Sequence, residues 1–250
     1  IEDRQIFQLV DSLQYIPGVT IVQTGQQGGA ASLFVRGLES NHVVTLLNGR
    51  RLAPGLAGLY NIELLGTSFL ESVQLAKGPV SSLYGSDAIG GALDLRMSDA
   101  RFVSVKNNLE LFTEAGSFDT FRSALKYQTK EDRVGIVMDA SYLHTDNDRP
   151  FSQFENLTLR NNIAYEVSDN IHFDLLSFYQ GSDLQVPGSE LGGSFPEPQI
   201  NVNESSLISP RLSITEKDWN AQIFFSRTAS ELEATQDVFQ QDNILEQTGN

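Results

Sequence analysis

From about residue 101 onward the apolar residues fall on alternate positions over long stretches, and this period of two limits the fold more than any other feature. In Val134–Tyr142 one face carries Val134, Ile136, Met138, Ala140 and Tyr142, and the other carries Gly135, Val137, Asp139 and Ser141. Ile171, Phe173, Leu175 and Tyr179 alternate with His172 and Asp174. Trp219, Ala221, Ile223 and Phe225 repeat the pattern, as do Phe121, Leu125 and Tyr127 against Arg122 and Lys126. A helix returns a side chain to one face only every ~3.6 residues, so these stretches are strands. Short polar turns (Glu131-Asp132, Ser168-Asp169-Asn170, Glu216-Lys217-Asp218) separate some of them, and longer connections (Thr145–Glu155, Asp183–Asn203) the others. About seven strands are legible, with an eighth starting near the end. Short turns at one end and long loops at the other match a membrane β-barrel. A soluble sheet with one wet face alternates in the same way. Aromatics near strand ends (Phe102, Tyr142, Tyr165, Tyr179, Trp219) suit an interfacial girdle or a core, so alternation alone leaves both architectures open.

The 250 residues carry a formal net charge of −15. Phosphate neutralisation needs clustered cations, so no nucleic-acid partner is expected. No run approaches the ~18 apolar residues of a membrane helix, which leaves a strand-built span open. With no cysteine there is neither disulfide framework nor thiolate metal site. His42, His144 and His172 are too scattered for a metal spacing, and no cofactor is expected. Gly78–Gly85 lacks the Gly-Lys-Ser/Thr ending of a phosphate loop, and no nucleophile elbow occurs, so catalysis is not expected.

Residues 1–98 have another texture. Leu9, Val10 and Leu13 share a helical face with Ile6, and Pro17 ends that helix. Strand-like runs follow at Leu33–Arg36, Val43–Leu47 and Ser72–Ala76, with Asn48-Gly49 a tight-turn signal. Pro79 opens a short helix and Gly85 follows it. This half reads as a small α+β domain.

Taken in order, Leu13-Gln14-Tyr15-Ile16-Pro17-Gly18-Val19, Ser32-Leu33-Phe34-Val35-Arg36-Gly37, Asn41–Leu52, Glu71–Pro79 and Ser82–Ala92 resemble the plug of TonB-dependent outer-membrane receptors, element by element. Asn48 stands where the family often has Asp, and Leu93-Asp94-Leu95-Arg96 where it usually has a Val-Asn-Ile-type strand. The resemblance implies an α+β plug over residues 1–98 and, over 101–250, the start of an antiparallel transmembrane β-barrel. About seven strands of an expected 22 or so would then be present. Ile1 is not a natural start, so the true N-terminus is expected upstream, with the segment that binds the TonB complex.

The implied function is capture and energised import of a scarce metal chelate, a ferric siderophore or cobalamin, across the outer membrane of a Gram-negative bacterium. The implied partners are the TonB complex, the chelate and outer-membrane lipid. Asn41-His42-Val43 and Tyr84–Gly91 are especially similar to the cobalamin-receptor branch. Ligand contacts are expected from Gln26 and Gln27, from Leu56, Leu59, Tyr60 and Asn61, and from a barrel loop at Gln185–Phe195. Arg36 and Lys77 are expected to lock the plug against wall carboxylates, with Glu110 and Glu114 the local candidates. Asp146, Asp148 and Glu155 read as a solvated acidic loop. A passive porin or adhesin, and a receptor that mainly signals, remain the alternatives.

Overall fold

The structure is a computed structural model that describes residues 8–55, 58–187, 198–236 and 241–249. Its first part contains helix α1 (Leu9–Leu13), strands β1 (Val19–Gln23), β2 (Ala31–Val35), β3 (Val43–Leu47), β4 (Arg50–Arg51) and β5 (Leu70–Lys77), helix α2 (Ser81–Tyr84) and strand β6 (Gly91–Met97). β1 and β2 form a hairpin, and a second sheet has the order β4-β3-β6-β5. β3 runs parallel to β6, and β5 antiparallel to it.

The Asn48-Gly49 turn explains how that sheet is tied off. Both residues take positive φ, 48° and 77°, the backbone that Asn and Gly tolerate best. The Met97 N–H donates to Asn48 Oδ1 at 2.8 Å, and the Gly49 N–H donates to Asp94 Oδ1 at 3.0 Å. The turn is thereby stitched to β6. Leu9, Val10 and Leu13 pack with Val35, Val43, Val44 and Leu93 into one core. Burying each such side chain contributes roughly 1.5–3 kcal/mol.

The second part contains β7 (Asn108–Ala115), β8 (Phe121–Glu131), β9 (Val134–Thr145), β10 (Phe154–Ser168), β11 (Ile171–Val186), β12 (Gln199–Thr215), β13 (Asn220–Phe224), β14 (Arg227–Gln236) and β15 (Gln241–Gly249). They form one antiparallel sheet, each strand next to its sequence neighbour. β13 and β14 both pair with β12 in one continuous register, so they are two lengths of a single wall strand and the sheet is eight strands wide. Pairing carries β11 and β12 further than expected, as far as Val186 opposite Gln199. Backbone pairing does not depend on side-chain polarity, so the ladder continues through residues whose composition reads as loop.

The two faces of this sheet are inverted relative to a soluble protein. The cross-strand row Leu125, Ala140, Leu159, Tyr179 points outward, and Leu125 and Leu159 are exposed. The neighbouring row Lys126, Asp139, Arg160, Phe178 points inward and is buried. Exposed Val134, Met138, Tyr142, Leu157, Tyr165, Phe173, Ile208 and Leu212 continue the apolar exterior. From Val134 to Tyr142 the outward row of β9 covers about 26 Å at a rise of ~3.3 Å per residue. Allowing for strand tilt, that approaches the ~25 Å apolar band of a barrel wall. Such a surface suits lipid, since charged residues are what an exterior in water would carry. No helix among the described residues is long and apolar enough to cross a membrane. The first part packs on the polar inner face, where Leu176, Phe178 and Leu207 of the wall join its core.

Candidate functional site

The plug and wall meet in two polar clusters. β4 places Arg50 and Arg51 on opposite faces, as alternation requires. Arg50 points to the wall, where its Nη2 donates to Asp174 Oδ2; these side chains are 1% and 0% exposed. Asp174 sits directly opposite Arg211 in the β11–β12 register, and Arg211 Nε donates to its Oδ1 at 2.7 Å. Asp99, on the segment leaving the plug, accepts from Arg101 Nη2 at 2.8 Å and from Arg211 Nη2 at 3.2 Å. Arg101 Nε lies 3.7 Å from Asp174. Three arginines therefore share two aspartates, a buried cluster of net charge +1. Burial pushes the Asp99 carboxyl up, but Arg101 and Arg211 outweigh it and hold it down at about 2. Burial draws the Arg50 guanidinium below its ordinary range, and Asp174 opposes this.

The same wall grips the rest of the exit segment. Arg160 bridges Asp139, with Nε at 2.5 Å, and the Ser98 carbonyl, with Nη1 at 2.8 Å. Asn162 accepts the Ala100 N–H at 2.7 Å and donates to the Leu175 carbonyl at 3.2 Å. Gly135 lies against the Ala100 carbonyl so closely that any side chain there would overlap it.

A second, weaker cluster joins plug loops to the other end of the wall. Asn147 Nδ2 donates to the Gln27 carbonyl at 3.3 Å, and Asn156 Nδ2 to the Leu64 carbonyl at 2.5 Å. Asn61 Nδ2 reaches Asn203 Oδ1 at 3.5 Å. Gly28 packs on the Phe154 ring, which together with Leu64 and Leu184 forms a small apolar cluster. Glu63 lies in the 3-10 turn Ile62–Leu64, 9% exposed, and burial raises its carboxyl to about 7.

The expected site residues divide. Gln26, Gln27, Leu59 and Asn61 are partly exposed, and Gln27 and Asn61 stand beside the wall at this outer cluster. Tyr60 is corrected: expected at a ligand surface, it is 6% exposed and belongs to the plug core, its phenol accepting from Arg51 Nε at 2.9 Å. A buried hydroxyl needs such a partner, and Arg51 supplies it. Leu56 lies outside the described residues, as does most of Gln185–Phe195. Arg36 is exposed, and Lys77 donates to the Pro17 carbonyl within the plug. Glu114 pairs with Arg122 at 2.7 Å, and Glu110 accepts from Asn108 at 2.8 Å, so neither meets Arg36 or Lys77 among the described residues.

The buried cluster itself was not anticipated. Its sequence signal is an ionisable residue at inward parity in a strand whose other face is apolar: Asp139 between Met138 and Ala140, Asp174 between Phe173 and Leu175. Such a residue cannot remain bare once the inner face is covered, so it marks a contact.

Comparison with known proteins agrees with this geometry. Residues 1–92 match the TonB-dependent Receptor Plug Domain family. The vitamin B12 transporter BtuB of Vibrio vulnificus is 38% identical over 95 residues, covering 38% of this chain and 16% of that protein. Among solved structures, the FrpB iron transporter from Neisseria meningitidis superposes with a TM-score of 0.76 at 12% identity, over 92% of this chain and 39% of its own. The closed form of the ferric-catecholate import receptor Fiu from E. coli K12 gives 0.74 at 15%, over 99% of this chain and 40% of its own. The chain thus spans well under half the length of these relatives. Residues 1–92 thus belong to the TonB-dependent receptor plug domains, and the apolar-sided wall on whose polar face they sit is a partial β-barrel with the fold of these receptors.

Proposed function

We propose that this protein is an active importer of a scarce metal chelate at the outer membrane, energised through the TonB complex, with residues 1–98 as the gate and 101–250 as part of the lipid-facing wall. The observation that carries the proposal is the plug's attachment. Among the described residues it is held on the inner face by a few buried charges, by a small apolar cluster, and by only three wall side chains, Leu176, Phe178 and Leu207, that join the plug core. An interface of that kind can be opened by work from outside and re-formed, as an order–disorder switch requires.

In this reading Gln26, Gln27, Leu59 and Asn61 offer amides and one apolar side chain to the ligand at the outer end of the plug, and Tyr60 supports Asn61 from beneath. Arg50, Asp99, Arg101, Asp174 and Arg211 form the lock toward the wall seen here. Arg36 and Lys77 form no ion pair with this wall among the described residues and would lock toward wall strands beyond these eight. The similarity to a vitamin B12 transporter makes cobalamin the first ligand to test, and the iron receptors of the same fold make ferric catecholates the second. Both arms share one assay: uptake of radiolabelled cobalamin and of ferric catecholate by a receptor-deleted host expressing the full-length gene, with and without an intact TonB. TonB-dependent uptake of either supports the proposal. Free conductance of small ions by the purified protein in liposomes would replace it with a passive pore.

A further inference from the structure

The face of β4 opposite the lock carries a separate arrangement that joins two distant plug segments. Arg51 Nε donates to the Tyr60 phenol at 2.9 Å, and its Nη2 pairs with Asp87. One guanidinium thus spans the loop ending at Tyr60-Asn61 and the segment Gly85–Gly90. Tyr60 is fixed from its own side. The loop is closed by the Gly55 N–H donating to the Leu59 carbonyl at 2.6 Å, and the ring lies in the plug core.

The Gly85–Gly90 segment is anchored where Ala88 and Gly90 are buried, while Gly85, Ser86 and Ile89 are exposed. The Ala88 N–H donates to the Gly85 carbonyl at 3.2 Å, and the Gly90 N–H to the His42 carbonyl at 2.8 Å. α2, just before the segment, has no buried residue, and Leu83 and Ile89 are exposed. Asp87 is the one charged side chain in Gly85–Gly90, and Arg51 is its cationic partner.

We propose that the Tyr60 phenol is a positioning group that aims Arg51 at Asp87, so that the outer loop at Leu59–Asn61 controls how tightly the Gly85–Gly90 segment is held. A guanidinium has several donors in a fixed plane. Holding Nε on the phenol sets the direction in which Nη2 points. Without that anchor, a partly exposed ion pair competes poorly with water. Displacing Tyr60-Asn61 then loosens a segment reached through Arg51 from that loop. The inference takes its direction from the outer-loop reading above. Its test needs no ligand, so failure of that reading and failure of this one are distinguishable.

The experiment is amide hydrogen exchange on the full-length protein in detergent micelles, comparing wild type, Tyr60→Phe, Asp87→Asn and the double variant. Tyr60→Phe keeps the ring and removes only the hydroxyl. It is expected to speed exchange at Ala88 and Gly90 about three- to fivefold, the scale of one partly exposed hydrogen bond, and to leave Leu46 and Leu93 unchanged. Asp87→Asn is expected to do at least as much, and the double variant no more than Asp87→Asn alone, because both act through Arg51. Three results would each overturn the proposal: unchanged exchange at Ala88 and Gly90 in Tyr60→Phe, effects that multiply in the double variant, or a uniform rise across the whole plug.

Discussion

Charge counting in the buried lock makes an ordered prediction. Arg50, Arg101 and Arg211 share Asp99 and Asp174, net +1. Asp174→Asn raises the cluster to +2 and strands Arg50, whose side chain is 1% exposed, without its carboxylate. Removing one partner of a buried pair costs about 3–5 kcal/mol. Arg50→Met brings the cluster to zero instead. Asp174 keeps Arg211 at 2.7 Å, so the cost is nearer one charge-assisted hydrogen bond, about 1.5–3 kcal/mol. The aspartate variant should therefore be the worse of the two, although the arginine is the larger side chain. The chain has no cysteine, so a single thiol introduced at Ala88, 0% exposed, reports plug opening by its labelling rate in urea. At ~1–3 kcal/mol per molar urea, Asp174→Asn should lower the midpoint by roughly 2 M, and Arg50→Met by about half that. If Arg50→Met is the more damaging, or if neither moves the midpoint, the cluster does not hold the plug.

Three further outcomes follow from the same coordinates. The Glu63 carboxyl is raised from 4.5 to about 7, so the folded plug keeps a proton that the unfolded chain releases between those values. Its contribution is fully present below about pH 4.5 and lost as pH rises to about 7, roughly 3 kcal/mol in all; Glu63→Gln should flatten the urea midpoint between pH 5 and 8. Gly135→Val pushes a side chain into the Ala100 carbonyl and should lower plug retention by about 1–3 kcal/mol or more, whereas Gly116→Ala, whose Cβ would meet Thr120 at an ordinary 3.6 Å, should be silent in the same thiol assay. Met138→Arg, in the middle of the outward row of β9, should cost about 2–4 kcal/mol of wall stability, read as lost folding into vesicles, and Asp169→Arg in a turn should cost nothing measurable.

Much of this protein is local, and local features are written in the sequence. Alternation over Val134–Tyr142 and Ile171–Tyr179 specifies strands because side chains of a pleated backbone must take alternate faces. Asn48-Gly49 specifies its turn because those residues accept positive φ. The plug motifs from Leu13 to Ala92 place the first domain by the same short-range logic. Which face of the wall would be wet, and which charges would meet, was beyond such reasoning. Alternation is symmetric between inside and outside until a second body covers one face, and here the plug covers the polar one. Arg50 and Asp174 are 124 residues apart in the chain, each an unremarked surface residue by composition, and only the docking of the plug makes them a buried pair. Tyr60 shows the converse: its loop reads as exposed, yet Arg51 gives its hydroxyl a partner and so permits its burial. Sequence fixes where a charge or a ring sits along its own strand or loop; its energy depends on the dielectric and the partner that tertiary packing brings to it.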